Sequence, residues 1–118
     1  MADDDTTVRA IAREVFEQFG YTVIEARDGE DGVKKFLQNK EKIPLVVLDA
    51  LMPKKNGKEA YEEIRKIRPD VKVIFTSGHT ADVLHKKGVL EEGLTFLSKP
   101  ISTHDLIRKV REVLDRQV

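Results

Sequence analysis

Asp49 ends the apolar run Leu45-Val46-Val47-Leu48 and is followed at once by Ala50-Leu51-Met52-Pro53. Other residues suited to the same chemistry stand at comparable places. Asp3 and Asp4 precede the first helical pattern, Thr76-Ser77 follow a second apolar run, and Lys99 follows a third. Carboxylates gathered in one place repel each other and are comfortable only with a cation; hard oxygen donors with bound water suit Mg²⁺. Lys99 adds a compact positive charge and Ser77 a hydroxyl donor. Carboxylate, dication, hydroxyl and ammonium together describe a site for a phosphoryl group.

These residues can meet only if the elements between them bring several strand ends to one edge. A short continuous apolar run such as Leu45 to Leu48 reads as a strand buried on both faces, with Asp49 at its C-terminal tip. Val71, Val73, Ile74 and Phe75 predict a second such strand, Leu94 to Leu97 a brief third, and Tyr21 to Ala26 a short β-prone segment. Helical spacing links Val8, Ile11, Ala12, Val15, Phe16 and Phe19, with Gly20 as the stop, and places Phe16, Phe19, Phe36 and Phe75 in the core. Further helices are expected around Val33, Phe36 and Leu37 after the Asp28-Gly29 break, and around Ala60, Ile64 and Ile67 after the Asn56-Gly57 turn signal. A short helix with Val83 and Leu84 inward is expected between Thr80 and Leu90. Ser102 and Asp105 resemble a capping box ahead of Leu106, Ile107, Val110, Val113 and Leu114. Strands alternating with helices predict an α/β fold with a doubly wound parallel sheet, whose ligand edge lies at the strand C-termini.

Composition narrows the function further. A chain of 118 residues is expected to form one domain, 1–118, burying roughly two thirds of its unfolded surface. Its 21 basic and 21 acidic side chains cancel, so no net field draws it onto nucleic acid. No apolar stretch approaches a membrane span, and the acidic start is unlike a signal peptide. The absence of cysteine agrees with a reducing compartment, and the expected location is cytoplasmic. His79, His85 and His104 have no zinc-site spacing.

In several pieces the sequence closely resembles the receiver domain of two-component response regulators, a flavodoxin-like, chemotaxis-regulator-like fold. The pieces are Asp3-Asp4, Leu48-Asp49 with Met52-Pro53 and Gly57, Thr76-Ser77-Gly78, and Lys99-Pro100, in the family's order and spacing from Ala2 onward. By that resemblance Asp49 is the phosphoacceptor, served by a histidine kinase or a small acyl phosphate. Asp4, Asp49 and the backbone carbonyl of Leu51 would hold Mg²⁺, with Asp3 assisting through water. Lys99 and Ser77 would contact the phosphoryl oxygens, and Phe96 would be the aromatic ring that repacks on switching. Leu51 and His79 occupy the positions expected to tune phosphate lifetime. The resemblance implies a downstream effector protein or attached sensor-kinase domains as partners, and a cis Lys99-Pro100 bond.

The family opens with an apolar central strand before the acidic pair, where this chain has only Met1-Ala2. An empty slot would leave its neighbours roughly 9.6 Å apart, with no hydrogen bond across. Each missing core side chain would forfeit about 1.5 to 3 kcal/mol. The expectation is therefore a domain truncated at its N-terminus relative to the family, with the flanking strands paired directly or the gap filled by a strand-exchanged homodimer. Weaker Mg²⁺ binding than in a full receiver follows. Two other functions stand beside the receiver: a phosphorylation-independent interaction module, using the sheet edge or the Thr80 to Gly93 face, and an aspartyl phosphatase. The latter lacks a second acid close after Asp49, since Leu51 stands there.

Overall fold

The computed structural model describes residues 1–78, 95–99 and 102–115. The expected helix between Thr80 and Leu90, with His79, His85 and the Lys99-Pro100 bond, lies outside the described residues. Helix α1 (Thr6–Gln18) starts where the Asp5 carboxylate accepts from the Thr7 and Val8 amides at 2.9 and 3.2 Å, and its chain reverses through Gly20 at φ +87°. Helix α2 (Gly29–Gln38) is capped by Asp28, which accepts from the Asp31 amide at 2.8 Å. Strand β1 spans Leu45–Asp49. Helix α3 (Gly57–Ile67) begins with a reciprocal box between Asn56 and Glu59. Strands β2 (Lys72–Ser77) and β3 (Thr95–Ser98) follow, and then helix α4 (Thr103–Asp115), where the Asp105 amide donates to Ser102 Oγ at 3.0 Å. Asp28 and Asn56, which the sequence marks as turn residues, are thus helix caps; the same short side-chain oxygen serves both purposes.

The three strands are parallel in the order β1-β2-β3, with Val47 opposite Ile74 and Phe75 opposite Phe96. Alternation along β1 feeds two cores. Val46 and Leu48 join Phe36, Ile64 and Phe75 under α2 and α3, while Val47 joins Phe16, Ile74 and Val110 under α1 and α4. Helices therefore cover both faces, and the strand C-termini share one edge. The expected burial of Phe19 is corrected: its side chain is 64% exposed, and Ile11 and Leu37 are exposed as well. Ala12 and Phe16 already fill the inward stripe of α1, and Phe19 lies past its last turn.

The central position holds the main surprise. The flanking segments do not pair directly, because Met1 and Ala2 enter between them. Ala2 forms isolated parallel bridges to Ala26 on one side and Leu48 on the other. Its amide donates to the Val47 carbonyl at 2.8 Å, and its carbonyl accepts from the Asp49 amide at 2.9 Å. Residues 21–25, expected as a strand, take no regular secondary structure; only Ala26 bridges. A strand needs a ladder, and the stub supplies rungs at one end only.

Candidate functional site

Each polar residue of the site is delivered by a strand end. Asp3 continues the stub and is fully buried, its amide donating to the Ala26 carbonyl at 3.1 Å. Asp49 ends β1 and is buried, Ser77 ends β2 and is buried, and Lys99 follows β3, its amide donating to the Ser77 carbonyl at 2.7 Å. Asp4 lies at the surface beside them. Carboxylate oxygens of Asp3, Asp4 and Asp49 all lie within 4.8 Å of one another.

The Lys99 ammonium bridges the two buried acids, donating to Asp3 Oδ2 at 2.7 Å and to Asp49 Oδ2 at 3.2 Å. Asp3 Oδ1 accepts from the Asp5 amide at 2.9 Å, and Asp49 Oδ1 from the Leu51 amide at 3.4 Å. Three carboxylates against one ammonium leave a negative excess, and oxygen donors so close fit a hard dication. The acid cluster can hold a metal ion.

Burial pushes the Asp49 carboxyl above its ordinary value; the Lys99 charge and hydrogen bond pull it down, Asp3 pushes it up again, and the net direction is upward. Burial works against the Lys99 ammonium, yet hydrogen bonding to Asp3 and the charges of Asp49 and Asp3 outweigh it and raise its pKa. A carboxyl raised on folding binds its proton more tightly in the native state. Its ionised form therefore burdens stability at neutral pH, and the burden is relieved as pH falls through the folded value towards the unfolded 3.8. Asp49→Asn is accordingly expected to raise the urea midpoint at pH 7, with the gain fading below about pH 4. A lower midpoint at pH 7 would show that Lys99 overcompensates the burial.

The structure brings together the acids, Lys99 and the Ser77 end of β2. Leu51 is half-buried beside the acceptor position, and Phe96 is half-buried against the core on the α2/α3 face. His79 lies outside the described residues. Sequence reasoning missed Arg9, whose guanidinium donates to the Asp3 carbonyl at 2.5 Å and pairs with Glu25 at 3.5 Å. An arginine one turn into a helix carries no motif, so only its position six residues after Asp3 could have hinted at this. Also unforeseen is that the Thr76 hydroxyl is buried without a hydrogen-bond partner among the described residues. It stands beside Asp49 in the β1–β2 register, at the same sheet edge.

Similarity to known proteins agrees with this geometry. The sequence profile of the response regulator receiver domain matches residues 1–111. The sensor kinase CckA of Brucella abortus is 32% identical over 117 residues, covering 99% of this chain but 12% of the kinase. The other curated relatives compared are likewise matched over less than half their length. Among solved structures, a response regulator receiver domain protein from Clostridium thermocellum superposes with a TM-score of 0.85 at 30% identity, covering 98% of this chain and 91% of that one. The Borrelia burgdorferi CheX-CheY-BeF3-Mg²⁺ complex gives 0.84 at 27% identity, covering 98% and 87%.

Proposed function

Because the chain belongs to the response regulator receiver domain family, a family of phosphoacceptor signalling domains in two-component systems, we propose that Asp49 is its acceptor. One observation carries this reading: the Lys99 ammonium joins Asp49 to a second buried acid at the C-terminal edge of a parallel sheet. An Asp49 oxygen attacks phosphorus, the new O–P bond forms as the P–N bond to a donor histidine breaks, and the imidazole leaves with the electron pair and takes a proton from water. Such transfer needs positioning and charge neutralisation more than a protein base. Lys99 supplies a fixed cation beside the attacking carboxylate, and Ser77 a hydroxyl to a phosphoryl oxygen. Asp4, Asp49 and the Leu51 carbonyl are the residues that would hold Mg²⁺, which when bound neutralises phosphoryl charge. Asp3, already engaged by Lys99 and the Asp5 amide, would assist through water.

The chain in this role is a self-phosphorylating acceptor rather than a turnover enzyme. A histidine kinase is its donor, and an effector protein or attached sensor-kinase domains receive the switch. Cytoplasmic location is part of the proposal; no helix among the described residues is long and apolar enough to cross a membrane.

Intact mass after treatment with acyl phosphate and Mg²⁺ tests the proposal: one phosphoryl adduct on the chain and none on Asp49→Asn. An inert wild-type chain would favour the phosphorylation-independent module instead. Leu51, apolar and half-buried two residues after the acceptor, screens it from water. Leu51→Asn is expected to speed phosphate decay on the order of tenfold, and an unchanged rate would remove Leu51 from this role.

A further inference from the structure

Arg9 stands where its charge should draw it elsewhere. Its guanidinium donates to the neutral Asp3 carbonyl at 2.5 Å and to the Thr6 hydroxyl at 3.4 Å. The same peptide unit leads into Asp4, whose exposed carboxylate has no hydrogen bond or ion pair among the described residues. An arginine fork bonds a carboxylate more strongly than a neutral carbonyl. Something must therefore keep Arg9 off Asp4.

Glu25, in the segment before α2, supplies the competing charge. Its Oε1 pairs with Arg9 Nε at 3.5 Å, and its Oε2 accepts from the Arg13 guanidinium at 2.9 Å. The holder is itself held. The Lys35 ammonium of α2 donates to the Glu25 carbonyl at 2.6 Å and pairs with Asp31 at 3.2 Å, while Arg13 of α1 also reaches Glu17 at 2.8 Å. Hydrogen bonding from Arg13 keeps the Glu25 carboxyl below its ordinary range, so it is ionised at neutral pH. The Arg9 side chain is 13% exposed and that of Glu25 27%, against 50% and 48% for Arg13 and Glu17. The Arg9–Glu25 pair is thus the less screened of the two.

We propose that Glu25 is a positioning residue for the acid pocket: it holds the Arg9 guanidinium on the neutral Asp3 carbonyl and so leaves the Asp4 carboxylate open to a cation. Asp4 can then share that cation with Asp3 and Asp49, whose oxygens lie within 4.8 Å of its own. Without the Glu25 charge, Arg9 turns to Asp4 and competes for it. The consequence for a cation rests on the reading of the acids as a metal pocket; the placement of Arg9 does not.

The test uses the full chain and Mg²⁺ alone. Glu25→Gln keeps the shape of the side chain and should weaken Mg²⁺ binding by about fivefold, the weight of one exposed ion pair. Glu17→Gln removes the same charge from Arg13 without touching Arg9, and should change binding by less than about twofold. Arg9→Met in the Glu25→Gln background removes the competitor and should restore at least the parent affinity. In NMR spectra the Arg9 Nε–H signal should move with Mg²⁺ in Glu25→Gln, as the ion displaces the arginine, and move far less in the parent. Equal weakening by the two glutamine variants would reduce the effect to net charge and overturn the proposal, as would an Arg9 signal indifferent to Mg²⁺ in Glu25→Gln. A metal-free measurement separates this from the pocket reading. The urea stability cycle between Arg9→Met and Asp4→Asn should show no coupling in the parent and a favourable one in Glu25→Gln. A parent chain that binds no Mg²⁺ would sink the pocket reading and leave that cycle to decide, and a cycle without coupling in either background overturns the role of Glu25.

Discussion

Lys99→Met is expected to lower the unfolding free energy by about 2 to 3 kcal/mol at neutral pH, the loss associated with stranding a buried charge, reduced because Lys99 keeps some solvent contact. Asp3 has no exposed surface, and its carboxylate has two engaged partners, the Lys99 ammonium and the Asp5 amide. Removing the ammonium leaves the Asp3 and Asp49 carboxylates facing each other across the pocket without the ion pair they share among the described residues. A domain is typically stable by 5 to 15 kcal/mol, so such a loss is a large fraction of the total. Two companion measurements separate charge from lost packing. Asp3→Asn in the Lys99→Met background should restore most of the loss, giving a coupling of about 1 kcal/mol or more in a double-mutant cycle. Millimolar Mg²⁺ should stabilise Lys99→Met more than the parent. Equal destabilisation of both backgrounds would mean that the lysine acts through its aliphatic stem alone.

Gly57→Val is expected to be as damaging, by about 3 kcal/mol, with loss of phosphoryl acceptance in whatever remains folded. A Cβ at Gly57 would stand 2.6 Å from the Asp49 carbonyl oxygen and 2.9 Å from the Ala50 Cα, both backbone atoms that no rotamer change can move. The Gly57 amide also donates to the Ala50 carbonyl at 2.8 Å, so the first turn of α3 is packed directly on the peptide units that carry the acceptor. Gly20 provides the contrast. Nothing lies within 4 Å of its would-be Cβ, and its positive φ alone should make Gly20→Ala cost about 1 kcal/mol. Urea denaturation of the two variants checks the ordering, and a Gly57 variant as mild as Gly20→Ala would show that α3 can step away from Asp49 freely.

Elements with strong local signals are legible in the amino-acid sequence alone. The run ending at Asp49 is β1, buried on both sides because helices cover both faces, and the spacing of Leu106, Val110 and Val113 is the inward stripe of α4. Strand-end chemistry follows from parallel topology, which places Asp49, Ser77 and Lys99 on one edge without further information. Periodicity misplaces Phe19 because it counts apolar residues but not the space available to them; α1 has no core left to offer past Phe16. The segment from Tyr21 to Ala26 has strand composition, yet pairing is a property of two segments, and here Ala26 alone bridges, to Ala2. The stub defies a composition argument altogether. Met1 and Ala2 are too few to read as a strand, but five backbone hydrogen bonds involving Met1, Ala2 and Asp3 hold them in the sheet. Arg9 reaching the Asp3 carbonyl belongs to the same class, a contact that exists only once α1 is docked beside the stub.

The central claim is that acids, hydroxyl and ammonium from four chain segments act as a single site around Asp49. The most direct measurement is an amide-resolved NMR titration with beryllofluoride in the presence of Mg²⁺, following Asp3, Asp4, Asp49, Leu51, Ser77 and Lys99. The account predicts that all six move along one saturation curve in the parent chain and that none does so in Asp49→Asn. Separate curves for these residues, or an unchanged response in Asp49→Asn, would contradict it.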